Sequence, residues 1–335
     1  MHVSDYPWLI EAKKNVGKTL PPALLIHGIE GIGKNVLATY LAQSALCEQT
    51  TSISDPCGEC PSCDLFKADT HPDFKLLTND EEDVSTSESG SSTSKKSKHV
   101  ISVKSVRNLG TFCVTKPHRG HAKVIIIDPA ENLNQSASNA LLKNIEEPAE
   151  FLHFILIAKH KETLIPTLLS RCLKVHARPP DAKEASKWIA VHAQGKSEDQ
   201  LRLQLAIRLS GNAPLSAIKL AEDDEFFLTR DKIISLLSQD QIDIFALATI
   251  CEKIETSTLQ TIFYALLHDL MSYELKTDQL FHEDKSIEIG QIKRSITSKA
   301  FSRWQTVFND YLKSANHPLN RRLALESLFL KWPQT

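Results

Sequence analysis

The sequence predicts an α/β domain built on a parallel sheet, followed by helical domains. Between residues 21 and 176, short apolar runs alternate with helix-like segments, which is the pattern of a parallel sheet flanked by helices. After Pro179-Pro180 the β-branched runs disappear and the remaining chain has helical periodicity. A third observation, the close spacing of cysteines at 57–63, indicates a small metal-binding module within the first domain.

Apolar runs predict five strands, at 24–27, 73–77, 124–127, 153–157 and 173–176. Helices are predicted between them, at 34–47, 103–112 and 136–146. Asn134 is a candidate N-cap for the last helix, and Pro148 stops it.

These patterns divide the chain into an α/β domain, a small helical domain and a larger helical domain, at 1–178, 179–212 and 213–335. The first domain is interrupted at 78–99, where a serine-rich stretch lies between an acidic block and Lys95-Lys96-Ser97-Lys98. Because this stretch has almost nothing apolar to bury, we expect it to be a flexible surface insertion.

The charge balance limits the classes of function. Lysine and arginine total 39 against 41 acidic residues, for a formal charge of -2, which argues against a protein whose main affinity is for phosphate backbones. The first residues lack the basic and apolar regions of a signal peptide, and no apolar run approaches the ~20 residues that span a bilayer. We therefore expect a cytoplasmic protein that makes no membrane contact.

A phosphate-binding loop is predicted at 28–35, where the sequence reads Gly28-Ile29-Glu30-Gly31-Ile32-Gly33-Lys34-Asn35. It follows the first strand and opens a helix, as such loops do. Glycines at 28, 31 and 33 let backbone N–H groups turn toward phosphates, and Lys34 can reach the outer phosphates. Asn35 stands where a magnesium-binding Ser or Thr is usual, so nucleotide binding and a purely structural loop both remain open.

Asp128 ends the third apolar strand, a position that places a carboxylate beside the phosphate loop and suits a metal-directing residue. An equally simple interpretation is that Asp128 caps the turn that follows the strand. Glu131, three residues later, should point away from the loop.

Cys57, Cys60 and Cys63 have C-x-x-C-x-x-C spacing, and Cys47 at the end of the preceding helix can supply a fourth thiol. Four thiolates form a closed tetrahedral zinc site that is structural, because no coordination position remains for water. An iron–sulfur cluster would need a further thiol at Lys67. His71 could replace Cys47, although an ordinary turn explains it as well; the remaining thiols, dispersed in the sequence, should be core residues: Cys113, Cys172 and Cys251.

A further motif, Ser170-Arg171-Cys172, follows the fourth strand. Together with the phosphate loop and the cysteine cluster, and with the segments at 140–148 and 320–332, it resembles the clamp-loader family of the AAA+ ATPase superfamily. The resemblance covers nearly all of the chain outside the insertion. It implies an AAA+ domain at 1–178, a helical lid at 179–212 and a helical collar at 213–335.

The resemblance also implies partners and a role. Members assemble as hetero-pentamers of gamma/tau motor subunits, a delta subunit and a stator, and they load a ring-shaped sliding clamp on primed DNA by using ATP. In this family the motif's arginine, here Arg171, projects in trans toward ATP held by a neighbouring motor subunit. The resemblance therefore makes Arg171, with Ser170 and Cys172, the candidate catalytic motif.

Four departures from active members indicate a stator that does not hydrolyse ATP itself. They are Asn35, Pro129 in place of the usual Glu, Ala158 at the first sensor, and 211–216 without the lid arginine. Binding of ATP or ADP at 28–35 should be weak or absent. An independently active motor subunit is the alternative, and it retains Lys34 and Asp128 as support.

Two other classes fit less well. A zinc-dependent nucleic-acid binder is supported by the cysteines and opposed by the near-neutral charge. A dinucleotide-dependent dehydrogenase is opposed by the loop, which reads G-x-x-G-x-G-K rather than G-x-G-x-x-G.

Overall fold

A computed structural model describes the chain at 3–50, 52–79, 100–192, 200–275, 280–314 and 320–333, without the side chains of 298 and 299. Its contacts separate two units, Met1–Pro180 and Asp181–Thr335. The finer division of the second unit into lid and collar stays a prediction. The expected insertion at 78–99 lies almost wholly outside the described residues.

The first unit contains a parallel five-stranded sheet in the order β2-β3-β4-β1-β5. Its strands are β1 (Ala23–His27), β2 (Phe74–Leu77), β3 (Lys123–Ile127), β4 (Leu152–Ala158) and β5 (Leu173–His176). Each bound lies within one residue of the prediction. The predicted parallel α/β sheet, with the phosphate loop after β1, is therefore confirmed.

The position of each strand in the sheet explains its sequence. β1, β3 and β4 lie in the interior of the sheet and are covered on both faces, so nearly all their residues are buried and they read as continuous apolar runs. β2 and β5 are the edges of the sheet, and both contain exposed residues. Lys123 is the exception to this apolar pattern, because it is a charged residue that is fully buried in β3. Its Nζ donates to Phe112 O at 3.1 Å and to Thr115 Oγ1 at 2.7 Å.

Among the described residues of this unit, seven α-helices accompany the sheet: α1 (Leu9–Val16), α2 (Lys34–Leu46), α3 (Pro61–Lys67), α4 (Val103–Arg107), α5 (Gly110–Val114), α6 (Gln135–Glu146) and α7 (Pro166–Leu169). The predicted N-cap of α6 is confirmed, because Asn134 Oδ1 accepts from Ala137 N at 2.8 Å. The single helix predicted at 103–112 is wrong. The chain forms two short helices there, and the break falls beside Asn108 and Gly110, which favour helix interiors poorly.

The second unit is helical throughout its described residues, as predicted. Its helices are α8 (Ala182–His192), α9 (Gln200–Leu209), α10 (Pro214–Ala221), α11 (Asp224–Leu237), α12 (Ile244–Lys253), α13 (Thr256–Leu275), α14 (Ser286–Arg294), α15 (Ser298–Ser314) and α16 (Arg321–Leu330). An aromatic cluster centres on Phe263, whose ring lies 5.3 Å from Phe308 and 5.4 Å from Trp304. None of the described helices combines the length and apolarity needed to cross a bilayer.

Both ends of the serine-rich segment attach to the same residue of the core. Before the segment, Asn79 Oδ1 accepts from Asn132 Nδ2 at 2.8 Å. After it, Ile101 N donates to Asn132 O at 2.8 Å, and Ile101 forms a parallel bridge with Leu133. Asn132 therefore joins the two described ends of this segment, between β2 and β3.

A buried carboxylate fixes the loop that leads into β3. Asp73 is fully buried, and its two oxygens accept from the backbone N–H groups of His118 and Arg119, each at 2.8 Å. Two charge-assisted hydrogen bonds compensate the cost of burying this carboxylate.

We expect Asp73→Asn to destabilise the first unit by about 2–3 kcal/mol, because the buried amide would offer one acceptor to two N–H groups and turn its own NH₂ group toward one of them. Urea unfolding of the full chain measures this. Asp69→Asn is the matched control: Asp69 is exposed with φ of 55°, a conformation that Asn also tolerates. Its effect should stay within about 0.5 kcal/mol. Equal effects of the two variants would contradict the role of Asp73.

Candidate functional site

The phosphate loop begins at a position that requires glycine. Gly28 has φ of 153°, and a Cβ there would lie 2.3 Å from Ala177 O. Gly28 N also donates to Ala158 O at 3.3 Å. Gly28 therefore lets the loop leave β1 between the ends of its two neighbouring strands, β4 and β5.

Aromatic residues near the start of the chain brace the end of the loop, a contact that sequence patterns alone did not predict. Trp8 Nε1 donates to Ile32 O at 2.8 Å. Gly33 has φ of 89°, and a Cβ there would lie 3.2–3.3 Å from Leu9 and Tyr6. The loop is thus packed against a buried aromatic segment as well as against the sheet.

Lys34 is buried, with 8% of its surface exposed, and its Nζ donates to Gly28 O at 2.7 Å and Ile29 O at 2.9 Å. Burial lowers the pKa of the Lys34 ammonium, and Glu131 and Asp128 oppose that shift. The predicted lysine therefore lies within its own loop, with carbonyl oxygens as its partners.

Asn35 and Asp128, both predicted site residues, contact each other. Asn35 Nδ2 donates to Asp128 Oδ2 at 2.7 Å. Burial raises the pKa of Asp128, while this hydrogen bond and the Lys34 charge oppose the rise. Glu131 was expected to point elsewhere, but its carboxylate accepts from Lys159 N at 3.0 Å, just after β4, and its charge acts on both Lys34 and Asp128. That expectation was wrong, because the end of β4 lies beside the loop. The site therefore keeps the lysine and the aspartate of a nucleotide-binding site, but the Asp128 carboxylate is hydrogen-bonded to the Asn35 amide.

The four predicted cysteines come together. All four Sγ atoms of Cys47, Cys57, Cys60 and Cys63 lie within 4.8 Å of one another. Three of the separations are 3.5 Å (Cys47 to Cys57), 4.0 Å (Cys47 to Cys60) and 3.9 Å (Cys57 to Cys63). A tetrahedral ion with metal–sulfur distances of ~2.3 Å needs sulfurs about 3.8 Å apart. The cluster could therefore hold a metal ion.

Local geometry prepares these sulfurs to carry negative charge. Backbone N–H groups point at them: Cys57 N at Cys47 Sγ (3.5 Å), Cys60 N at Cys57 Sγ (3.3 Å) and Cys63 N at Cys60 Sγ (3.4 Å). Burial alone would raise the pKa of Cys47, but hydrogen bonds, first from Cys57 N, lower it to about 6. Burial and the neighbouring sulfurs raise the pKa of Cys63 to about 12. Ionising all four thiols thus calls for a cation among them.

His71 has other partners, which excludes it as the fourth ligand in this arrangement. Its Nδ1 accepts from Asp73 N at 3.0 Å, so Nε2 carries the proton and donates to Ser62 Oγ at 2.7 Å. Ser62 in turn donates to Leu46 O at 2.6 Å. This chain of bonds attaches the start of α3 to the end of α2.

The dispersed thiols of Cys113, Cys172 and Cys251 are buried, as expected of core residues. Burial raises the pKa of Cys172 to about 11, so this member of the Ser170-Arg171-Cys172 motif packs as an uncharged side chain.

Arg171 lies beside an open groove of about 640 Å³, which we call the Arg171 groove; its other lining residues are Pro21, Pro22, Ala23, Ile145, Glu146, Glu147, Pro148 and Leu173. Its Nη1 donates to Thr167 O at 3.0 Å and Ser170 Oγ at 3.3 Å. Its Nη2 lies 2.7 Å from Glu146 Oε1, a partner that no sequence pattern predicts.

Arg171 and the phosphate loop lie at opposite ends of the sheet. Arg171 precedes β5, and the loop follows β1; the two strands are parallel, with Leu24 opposite Leu173 and His27 opposite His176. The five residues of β1 alone span roughly 13 Å, at ~3.3 Å per residue. An arginine side chain reaches roughly 6–7 Å at C–C distances of ~1.5 Å. Arg171 therefore does not reach the phosphate loop of its own chain.

Comparisons of the sequence with known proteins identify its family. Residues 10–181 match the family model described as DNA polymerase III, delta subunit. The DNA polymerase III subunit delta' of Pseudomonas aeruginosa is 29% identical over 98% of this chain and 97% of its own length. That of Yersinia pestis is 30% identical over 70% of each chain.

Among solved structures, a DNA polymerase III gamma subunit-related protein of Thermotoga maritima is similar, with 14% identity, a TM-score of 0.45, and coverage of 96% of this chain and 97% of its own. The sequence matches decide the family: the chain belongs to the DNA polymerase III delta-subunit family and is related along nearly its whole length to delta' subunits.

Proposed function

We propose that the chain is the stator subunit of a clamp loader, which supplies Arg171 in trans to ATP held by a neighbouring motor subunit. The observation that carries the proposal is the position of Arg171, at the end of the sheet away from its own phosphate loop and beside an open groove. A guanidinium that cannot serve its own loop is available to a nucleotide on another chain.

The proposed partners are gamma/tau motor subunits and a delta subunit in a hetero-pentamer, acting in the cytoplasm. The assembly would open the sliding clamp and place it on primed DNA. Support comes from the relatives, which are named as DNA polymerase III delta' subunits, and from the near-neutral charge, which suits a chain that meets DNA through its partners.

The loop's own chemistry supports a passive role. Hydrolysis of ATP needs a hydroxyl on magnesium and a group that orients the attacking water. This chain has an amide at Asn35, which is hydrogen-bonded to Asp128. It has Pro129 in place of the usual Glu and Ala158 at the first-sensor position. We infer that the loop persists as a structural support for the N-terminal segment, with weak or no nucleotide binding.

We also propose that the metal at the four cysteines is one structural zinc ion. The donors are four sulfurs at tetrahedral spacing, which leaves no position for water and suits zinc. When bound, the ion would supply the positive charge that four thiolates in contact require. Its role would be to hold the segment before α3 onto the end of α2.

Metal analysis of the purified chain should find about one zinc per molecule, as a closed four-thiolate site requires. Cys60→Ser should lose most of this zinc and destabilise the cysteine module. Cys113→Ser removes a buried thiol outside the cluster and should retain the zinc. Fully folded, metal-free protein with all four cluster thiols reactive would refute the proposal.

The isolated chain should show negligible ATP turnover, because magnesium and water lack their usual partners at Asn35 and Pro129. Steady-state phosphate release, with and without primed DNA, measures this. Turnover comparable to the ~1 s⁻¹ of ordinary phosphoryl-transfer enzymes would favour the motor alternative.

Complexes reconstituted with Arg171→Ala should assemble but hydrolyse ATP at the adjoining motor site on the order of 10³-fold more slowly, and load clamps more slowly. Single-turnover hydrolysis isolates that site. Lys34→Ala is the comparison and should matter much less. If Lys34→Ala abolished loading while Arg171→Ala left it unchanged, the chain would be a motor subunit.

A further inference from the structure

The guanidinium of Arg171 is held by two different kinds of contact. One nitrogen, Nη1, is bound to fixed groups of its own turn, Thr167 O and Ser170 Oγ. The other, Nη2, pairs with Glu146 Oε1 at 2.7 Å, and both residues line the Arg171 groove. The contacts with the turn set the direction of the side chain, and the carboxylate neutralises it.

Glu146 is poorly placed for a carboxylate unless a cation is near. It is the last residue of α6, and Glu147 follows as the C-cap. The carboxyl end of a helix carries partial negative charge, which disfavours acidic side chains there. Arg171 therefore offsets the unfavourable position of the Glu146 carboxylate at this helix end.

The ion pair is open to exchange. The side chain of Arg171 is 39% exposed and that of Glu146 46% exposed, so water screens their attraction. A phosphate carries more charge than a carboxylate and also accepts from the planar fork of a guanidinium. An incoming phosphate can displace Glu146 from Nη2 while the turn still holds Nη1.

We propose that Glu146 is a positioning residue for Arg171, the resting counter-anion that the phosphate of a partner's nucleotide displaces. The proposal rests on the function proposed above, since it takes Arg171 to act on another chain. Displacement leaves Glu146 without its cation at the helix end. Glu146 therefore opposes engagement of Arg171 until a phosphate is presented, and it makes that engagement dependent on the nucleotide.

The test measures the affinity of the full chain for a clamp-loader motor subunit loaded with ADP and aluminium fluoride, which mimics phosphoryl transfer, or with ADP alone. Glu146→Gln should bind the aluminium fluoride state about two- to five-fold more tightly, the range expected of an exposed ion pair. Binding in the ADP state should not change. The variant should fold, because it removes a carboxylate from a helix carboxyl end.

Two further variants make the result specific. Glu147→Gln removes the same charge one residue away, and the described contacts of Arg171 do not include Glu147; it should leave both affinities unchanged. In an Arg171→Ala background, Glu146→Gln should lose its effect. The role of Glu146 would be overturned if Glu146→Gln had no effect on affinity in the chain that keeps Arg171. It would also be overturned if the effect persisted without Arg171, appeared equally with ADP, or was matched by Glu147→Gln.

The same measurements separate the two proposals. If Arg171→Ala weakens binding to the aluminium fluoride state while Glu146→Gln has no effect, Arg171 acts in trans and only the role of Glu146 fails. If Arg171→Ala leaves that affinity unchanged, the proposed function fails, and the role of Glu146 fails with it.

Discussion

The burial of β1 between β4 and β5 is the constraint on which the rest of the first unit depends. Leu24, Leu25 and Ile26 are completely buried, and their neighbours on both sides run parallel to them. A parallel strand in this position has one end that can carry a phosphate loop and another end that cannot. The phosphate loop and Arg171 consequently lie at opposite ends of the sheet.

The phosphate loop illustrates how a binding element can be retained for packing. Gly28 and Gly33 are required by close contacts with the protein itself, with Ala177 and with the aromatic segment around Tyr6. Those contacts would persist in a chain that never bound nucleotide. A glycine pattern of this kind therefore indicates the backbone conformation of the loop. The residue at position 35, by contrast, indicates whether the loop can bind magnesium.

The sequence predicted the sheet well because buried strands and the loop leave local signals. The strand bounds agreed to within one residue, and the cysteine spacing predicted a cluster that the structure assembles. The error at 103–112 arose because apolar periodicity continues across two short helices, and periodicity does not report a break at Asn108. Contacts between distant segments, such as Asn35 with Asp128 and Arg171 with Glu146, have no sequence period and could not be predicted.

The attachment of both ends of the serine-rich segment to Asn132 has a consequence for how this family can vary. Asn79 reaches the side chain of Asn132, and Ile101 reaches its carbonyl oxygen. A connection whose ends meet at one residue can be lengthened or shortened without shifting the register of β2 on β3, and the entropic cost of added length grows only slowly. Natural relatives should therefore differ freely in size here, and a reporter domain could be grafted between the same two anchors.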